Sequence, residues 1–261
     1  MDTFLIFNNI FAFVFGLCIG SFLNCVIYRL EQKKNLGGRS FCPECRHQLF
    51  WQDLIPVFSY IFLGGKCRYC KKKISIQYPL IEILTGLVFL LVFAVTAVSC
   101  CNGIINLIFL FYIASVFIVI FAYDFKHYLI PDKVLIPAII IALIYKLFES
   151  FSLLPNLLMG VLVGSGFFLL IFLISRGRWI GFGDVKLGIL MGVLLGFPNV
   201  LVALFLAFLL GAMIGVALII FQKKGLKSQI PFGPFLIVGT FIALFWGQEI
   251  INWYLNTFLL I

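Results

Sequence analysis

The sequence predicts an all-α polytopic membrane protein with about eight transmembrane helices and a small cytoplasmic loop domain. Composition, the placement of basic residues and a set of paired cysteines lead to this prediction. The 261-residue chain is 63% hydrophobic and 11% charged, and its mean hydropathy is +1.17, far from the composition of ordinary globular domains. Apolar stretches of about 20 residues recur along it, each long enough to cross roughly 30 Å of hydrocarbon.

Basic residues set the predicted orientation. Eighteen of the 19 Lys and Arg residues fall in four hydrophilic stretches, and such residues are in excess in cytoplasmic loops. The four stretches are therefore predicted to be cytoplasmic and both termini to lie outside. The net charge of +9 reflects this topology rather than nucleic-acid binding. The basic stretches are 29–78, 124–133, 176–186 and 222–230, and the predicted spans are about 4–28, 79–97, 105–123, 134–148, 156–175, 187–197, 201–221 and 234–257.

We expect three parts: a first transmembrane helix (1–28), a cytoplasmic loop domain (29–78) and a helical bundle (79–261). The amino-terminal run has no basic segment before its apolar core, so we interpret it as a retained span rather than a signal peptide. Two spans, 134–148 and 187–197, are short, and each follows an aspartate. Because interrupted helices border polar cavities, we expect a water-filled cleft there, unless these boundaries are misplaced by several residues.

Three pairs of glycines at Gly-xxx-Gly spacing predict close approach of helices. We expect them to serve packing within the bundle, although the same motif would also permit a homo-oligomer. The 32 phenylalanines suit contact with membrane lipid and between helices. The pairs are Gly16/Gly20, Gly160/Gly164 and Gly211/Gly215.

The first cytoplasmic stretch contains two Cys-x-x-Cys pairs, Cys42/Cys45 and Cys67/Cys70, with 21 residues between them. Two such knuckles can turn four sulfurs toward one ion and form a tetrahedral zinc site. The surrounding Lys and Arg residues favour the thiolate form. Redox chemistry and disulfides are the alternatives, but stable disulfides are rare in a reducing cytoplasm. Four sulfur ligands close the site, so we expect structural rather than catalytic zinc.

Two aspartates stand where apolar runs meet basic stretches: Asp124 in Ala-Tyr-Asp and Asp184 in Gly-Phe-Gly-Asp. The chain has 10 Asp and Glu residues in all, and a carboxylate near hydrocarbon is costly and marks a functional site. The topology places both at the cytoplasmic edge. Two carboxyl groups in contact share a proton, as in an aspartyl protease. The simpler alternatives are interfacial ion pairs with Lys126 and Lys186, or a helix cap at Asp184.

Four further residues are candidates for substrate contact. Asp132, in Ile-Pro-Asp, is the main rival of Asp124 for the first catalytic position, although we expect it to cap the next helix and shape the loop. Glu82 lies early in a span and is a candidate partner for the substrate's amine. Gly181 and Gly183 would let the backbone approach a substrate strand closely or adopt a positive φ.

Other catalytic arrangements fail because the residues they need are missing. The chain has two histidines, His47 and His127, and each lies beside basic residues, where we expect it to be solvated. The sequence contains no Gly-x-Ser-x-Gly elbow, no His-Glu-x-x-His and no Gly-rich phosphate loop. The residues therefore favour two carboxyl groups over a serine triad or a catalytic metal.

These motifs together resemble those of the type IV prepilin peptidases, from about residue 16 to residue 190. The Gly-x-Gly-Asp motif is also similar to that of presenilin-like intramembrane proteases. The matching segments are 20–30, the two Cys-x-x-Cys pairs, 54–60, 74–82, Asp124 with Pro131-Asp132, and 181–186, with 231–235 as a further motif of the family kind.

The resemblance implies an enzyme of the bacterial inner membrane that removes the leader from type IV prepilins or pseudopilins at the cytoplasmic face. Asp124 and Asp184 match the catalytic positions. Many members of this family also methylate the new amino terminus from S-adenosylmethionine, and the cysteine loop accompanies that activity, so methylation is a further activity that the resemblance allows. We identify no cofactor pocket in this loop. Such substrates belong to type IV pili, type II secretion or DNA uptake.

Two other classes of function are compatible with the residues. One is a zinc-stabilised transporter or channel that uses Asp124 and Asp184 as ion ligands. The other is a non-catalytic scaffold anchored by the cysteine loop. A transporter would lose flux on Asp→Asn replacement without ever cutting a peptide, whereas a scaffold would tolerate both replacements. The paired aspartate motifs favour the protease.

Overall fold

The computed structural model describes residues 2–35, 37–98, 103–221 and 231–258. These residues form nine α-helices and two short 3₁₀ turns, and they contain isolated β-bridges but no strand. The all-α prediction is confirmed. The helices are α1 (Asp2–Glu31), α2 (Phe58–Phe62), α3 (Gln77–Val98), α4 (Ile104–His127), α5 (Asp132–Glu149), α6 (Leu154–Ser175), α7 (Phe182–Leu195), α8 (Asn199–Ile220) and α9 (Gly233–Phe258).

Six of these helices are long and apolar enough to cross a membrane: α1, α3, α4, α6, α8 and α9. The protein is therefore a multi-pass membrane protein. Helices α5 and α7 coincide with the two short predicted spans, but they have only 18 and 14 residues. Helix α7 rises about 21 Å, less than the hydrocarbon thickness. The predicted number of eight spans is thus not confirmed, and the basic stretch 222–230 lies outside the described residues.

The chain divides into two compact units, Met1–Ala122 and Tyr123–Ile261. The first unit holds α1, the cysteine loop, α3 and most of α4. The second holds the end of α4 and the five helices that follow. The functional division at residues 28/29 and 78/79 stays a prediction.

In the first unit, α1 and α3 meet through small residues. A Cβ atom on Gly16 would lie 2.8 Å from the Cα atom of Gly86, and one on Gly20 would lie 2.7 Å from that of Glu82. Beside this contact, the ring of Phe89 stacks on an aromatic ring of α4. The first Gly-xxx-Gly pair therefore serves packing within one chain, as predicted.

In the second unit, α6 and α7 approach even more closely. Cβ atoms on Gly160 and Gly164 would lie 2.7 Å and 2.8 Å from the carbonyl oxygens of Gly192 and Gly188. A Cβ atom on Gly192 would lie 2.5 Å from the Cα atom of Val161. This glycine seam between α6 and α7 presses backbone against backbone, so helix α7 is held by contacts that admit no side chain.

The third pair behaves differently. A Cβ atom on Gly211 would make only ordinary contacts with aromatic rings, the nearest at 3.4 Å, and one on Gly215 would meet nothing within 4 Å. The expectation of close approach is therefore wrong for this pair. Spacing alone does not show whether a neighbouring helix faces the glycines.

We expect Gly192→Ala to destabilise the protein by about 1–3 kcal/mol, because its methyl group must push two backbones apart. The measurement is the thermal unfolding midpoint of the purified protein in detergent. Gly215→Ala is the matched control, since its methyl group has open space and alanine favours the helix. Equal midpoints for the two variants would contradict the close packing of α6 on α7.

Candidate active site and metal centre

Asp124 lies in the last turn of α4 and is 5% exposed. Its carboxylate accepts a hydrogen bond from the backbone N–H of Gly233, the first residue of α9. The start of a helix carries unpaired N–H groups and a partial positive charge. The carboxyl end of α4 has no unpaired N–H group to offer Asp124. The start of α9 therefore supplies the hydrogen-bond donor.

Gly233 is a site residue to which the sequence pattern assigns no role. A Cβ atom there would lie 2.5 Å from Oδ2 and 3.2 Å from Cγ of Asp124. A side chain at this position would push the carboxylate away from the start of α9. The Pro-Phe-Gly-Pro sequence around Gly233 is a recognisable motif. Its partner, Asp124, lies 109 positions earlier in the chain, so the local sequence does not predict their contact.

Asp184 lies in the first turn of α7, at the third helical position. Gly181 is the N-cap, and its N–H donates to the Asp184 carboxylate, which is half of a capping box. The N-cap expectation for Asp184 is thus corrected by three positions. Gly181 has φ −76° and Gly183 is not among the positive-φ glycines. Gly183 instead allows close approach, since a Cβ atom there would lie 3.1 Å from Ile130.

The two aspartates interact electrostatically at the same end of the second unit. Helix α7 packs on α5, α6 and α9, and the start of α9 lies against Asp124. Asp184 stands outside the six candidate spans. Burial, and next the negative charge of Asp124, raise the pKa of Asp184 to about 7. A carboxyl group so placed can hold a proton at neutral pH while its neighbour is ionised.

Asp132 is engaged elsewhere. It is the first residue of α5, and Pro131 rather than Asp132 is the N-cap of that helix. Both its oxygens accept from Nζ of Lys186, at 2.8 Å and 2.7 Å. The same Nζ lies 5.2 Å above the ring of Phe182. Lys186 therefore links α7 to α5 and does not form the ion pair with Asp184 that was the simpler alternative.

Glu82 belongs to the first unit, in α3. It is buried, and its Oε2 accepts from the backbone N–H of Val57 at 2.7 Å. The hydroxyl of Ser21, on α1, also bonds to it. Its carboxylate therefore fixes the cysteine loop onto two helices.

The four cysteines converge as predicted. The sulfurs of Cys42, Cys45, Cys67 and Cys70 all lie within 4.8 Å of one another, and those of Cys42 and Cys70 are 3.9 Å apart. A tetrahedral ion with metal–sulfur bonds of about 2.3 Å places its sulfurs roughly 3.8 Å apart. The geometry therefore fits one metal ion.

The two knuckles have the same local construction. The N–H of Cys42 donates to the carbonyl of His47, and that of Cys67 donates to Lys72. The residue after each second cysteine has a left-handed φ, 57° at Arg46 and 59° at Lys71. This backbone turns the sulfurs inward.

The thiols of the cluster differ in acidity. Burial raises the pKa of the Cys42 thiol to about 11. Burial opposes ionisation of Cys67 too, but the N–H groups of Cys70 and Tyr69 bring its pKa down to about 7. Without a metal, Cys67 is the thiol that ionises near neutral pH, and a bound cation would stabilise further thiolates.

Comparisons with known proteins identify two family models that match this chain. Residues 14–96 match the bacterial peptidase A24 N-terminal domain, and residues 111–216 match the type IV leader peptidase family. Relatives named prepilin leader peptidase/N-methyltransferase include one from Aeromonas hydrophila, 32% identical over 95% of this chain and 94% of that protein. Another, from Pseudomonas aeruginosa, is 32% identical over 92% and 91%.

A relative of the same name from Bacillus subtilis is 30% identical over 94% of this chain and 96% of its own. No solved structure matches significantly. The identities and the coverage together show the family: this chain belongs to the type IV leader peptidase family.

We expect the purified full-length protein to carry one divalent ion per chain, and Cys67→Ser to lower the metal content well below one, since a ligand is lost. Metal per chain is measured by mass spectrometry. Cys18→Ser is the matched control, because Cys18 lies on α1 outside the cluster. Equal loss in both variants would contradict a site made by the four sulfurs.

Proposed function

We propose that this chain is a membrane aspartyl endopeptidase that removes the leader peptide of type IV prepilins or pseudopilins. The observation that carries the proposal is the placement of Asp124 and Asp184 at helix ends of the same unit, close enough to interact electrostatically, with a backbone N–H donor on each carboxylate. Membership of the family and the names of the relatives support the substrate class.

The chemistry follows from the two protonation states. The ionised Asp124 takes a proton from a water molecule, which attacks the carbonyl carbon of the scissile peptide bond. The protonated Asp184 donates to the carbonyl oxygen as charge develops there. When the carbon–nitrogen bond breaks, the leaving amine receives a proton from the pair. Gly233 holds the Asp124 carboxylate in place throughout.

We place the site at the cytoplasmic face of the bacterial inner membrane. Asp124 and Asp184 adjoin the basic stretches 124–133 and 176–186, which the positive-inside rule assigns to the cytoplasm. In a prepilin, the leader would stay in the cytoplasm while the apolar segment that follows it enters the bilayer. The cleavage site between them would then lie at the membrane surface, beside the two aspartates.

We assign zinc to the cysteine cluster. Four sulfur donors select a soft or borderline ion, and a closed tetrahedral set suits structural zinc. Such an ion would order the loop, and catalysis would remain with the carboxyl groups.

We also propose that the enzyme methylates the new amino terminus from S-adenosylmethionine, which supplies the methyl group. The support is the complete cysteine loop and the N-methyltransferase name of the relatives. Transport of ions through the aspartates, the alternative function, gains no support from the relatives or the fold.

We expect Asp124→Asn and Asp184→Asn each to lower the cleavage rate of a prepilin by at least about 10²-fold, because one partner of the acid–base pair is lost. Purified protein in liposomes is incubated with a prepilin, and the products are identified by mass. S-adenosylmethionine in the same reaction should add one methyl group to the mature product.

The control is Asp132→Asn, at the rival aspartate. Its ion pair with Lys186 is partly exposed, so removing it should cost less than about 1 kcal/mol and leave most of the cleavage rate. If cleavage survives in Asp124→Asn and disappears in Asp132→Asn, the assignment of the pair is wrong.

We expect Gly233→Ala to lower kcat by about 10–10²-fold with a smaller effect on KM, because its methyl group displaces the Asp124 carboxylate. The measurement is steady-state cleavage of a prepilin at several substrate concentrations. Gly166→Ala, on α6 with nothing within 4 Å of the added atom, is the matched control. An unchanged kcat in Gly233→Ala would show that this contact does not position the carboxylate.

A further inference from the structure

The part of the cysteine loop between the two knuckles, residues 50–62, carries an unusual share of exposed apolar side chains. We name it the interknuckle segment. Its exposed fractions are 71% for Trp51, 57% for Phe58, 65% for Ile61 and 84% for Phe62. Neither its 3₁₀ turn nor helix α2 buries any residue. Soluble proteins rarely expose such a contiguous patch in water, so another apolar medium must cover it.

Polar contacts attach the segment to two membrane-spanning helices. The Ser21 hydroxyl, on α1, lies 3.5 Å from the carbonyl oxygen of Leu54, and Glu82, on α3, accepts from Val57. Glu82 is the sixth residue of α3, about 8 Å along that helix. Both attachment points fall inside candidate spans. The segment is therefore held at the depth where a bilayer begins, rather than far out in water.

The backbone of the interknuckle segment adopts a strained turn at Val57. The N–H of Phe58 donates to the carbonyl of Pro56 at 2.6 Å, which makes a γ-turn centred on Val57, with φ 61° and ψ −50°. This left-handed conformation is costly for a β-branched residue. Glu82, by accepting from the Val57 N–H, fixes the turn from which α2 begins. Glu82 therefore attaches the amino-terminal end of α2 to α3.

The charge around the segment is positive. Residues 32–76 contain nine Lys and Arg residues and two acids. One acid, Asp53, lies inside the segment but pairs with Arg68 at 2.7 Å and bonds to Tyr69. The other, Glu44, pairs with Lys72. The remaining basic side chains, including exposed Lys66 and Lys73 beside the second knuckle, suit anionic headgroups.

We propose that the interknuckle segment is an interfacial anchor that inserts its aromatic face into the bilayer and binds anionic lipid through the flanking lysines. Tryptophan and phenylalanine beside lysine are the residues of interfacial segments. The anchor fixes the cysteine loop at the membrane surface, and it does so whether or not the enzyme cuts prepilins.

The test uses the full-length protein in phosphatidylcholine vesicles that contain brominated lipid, which quenches tryptophan on contact. The fluorescence of Trp51 is obtained by subtracting the fluorescence of the Trp51→Phe variant from that of the parent protein. Bromine near the headgroup end of the acyl chains should quench Trp51 at least about twofold more than bromine near the methyl end, since interfacial side chains lie about 5–10 Å deep. Brominated phosphatidylglycerol should quench more than brominated phosphatidylcholine.

Two variants separate the apolar and the charged contributions. Phe62→Ser removes an exposed ring and should reduce quenching of Trp51, with the metal content unchanged as evidence that the loop is folded. Lys66→Gln with Lys73→Gln should abolish the preference for phosphatidylglycerol and leave the depth unchanged.

Several results would overturn the anchor. Trp51 that is quenched by aqueous acrylamide and by neither brominated lipid would face water. If Trp51 is shielded from acrylamide only when prepilin is added, the aromatic face binds substrate. If the shielding increases with the ratio of protein to lipid, the face binds a second copy of the chain. Equal quenching by the two headgroups would overturn the binding of anionic lipid.

Discussion

The structure depends on the need to keep two carboxyl groups together within an apolar chain. Asp124 and Asp184 come from different helices, and each is costly beside hydrocarbon unless hydrogen-bond donors face it. Asp184 lies in the first turn of α7 and α9 begins at Gly233, so the start of each helix provides a backbone donor. The close packing of α7 on α6 holds the start of α7 in place.

The sequence predicted much of this arrangement because its signals are local. Apolar length and basic stretches placed the helices to within a few residues, and the Cys-x-x-Cys spacing predicted the cluster of sulfurs. The two aspartates stand out as candidates because carboxylates are scarce in this composition. Signals of this kind do not depend on the tertiary structure, so a single sequence is enough to detect them.

What the sequence could not predict depends on partners distant along the chain. The fit of Gly233 to Asp124 and the bond from Val57 to Glu82 join residues with no shared pattern. Lys186 had an acid two positions away, yet it binds Asp132 because α5 begins beside α7. Helix boundaries also moved the cap of α7 from Asp184 to Gly181, since propensity alone does not set where a helix starts.

Because of the glycine seam, helix α7, which carries Asp184, is held more tightly by α6 than by α5. On the α6 side, backbone rests on backbone, so α6 and α7 must tilt as one body. On the α5 side, the two helices pack along each other, and a partly exposed ion pair joins Asp132 to Lys186. Such a pair contributes about 1 kcal/mol or less. Movement of α7 relative to α5 is therefore less restricted than movement of α7 relative to α6.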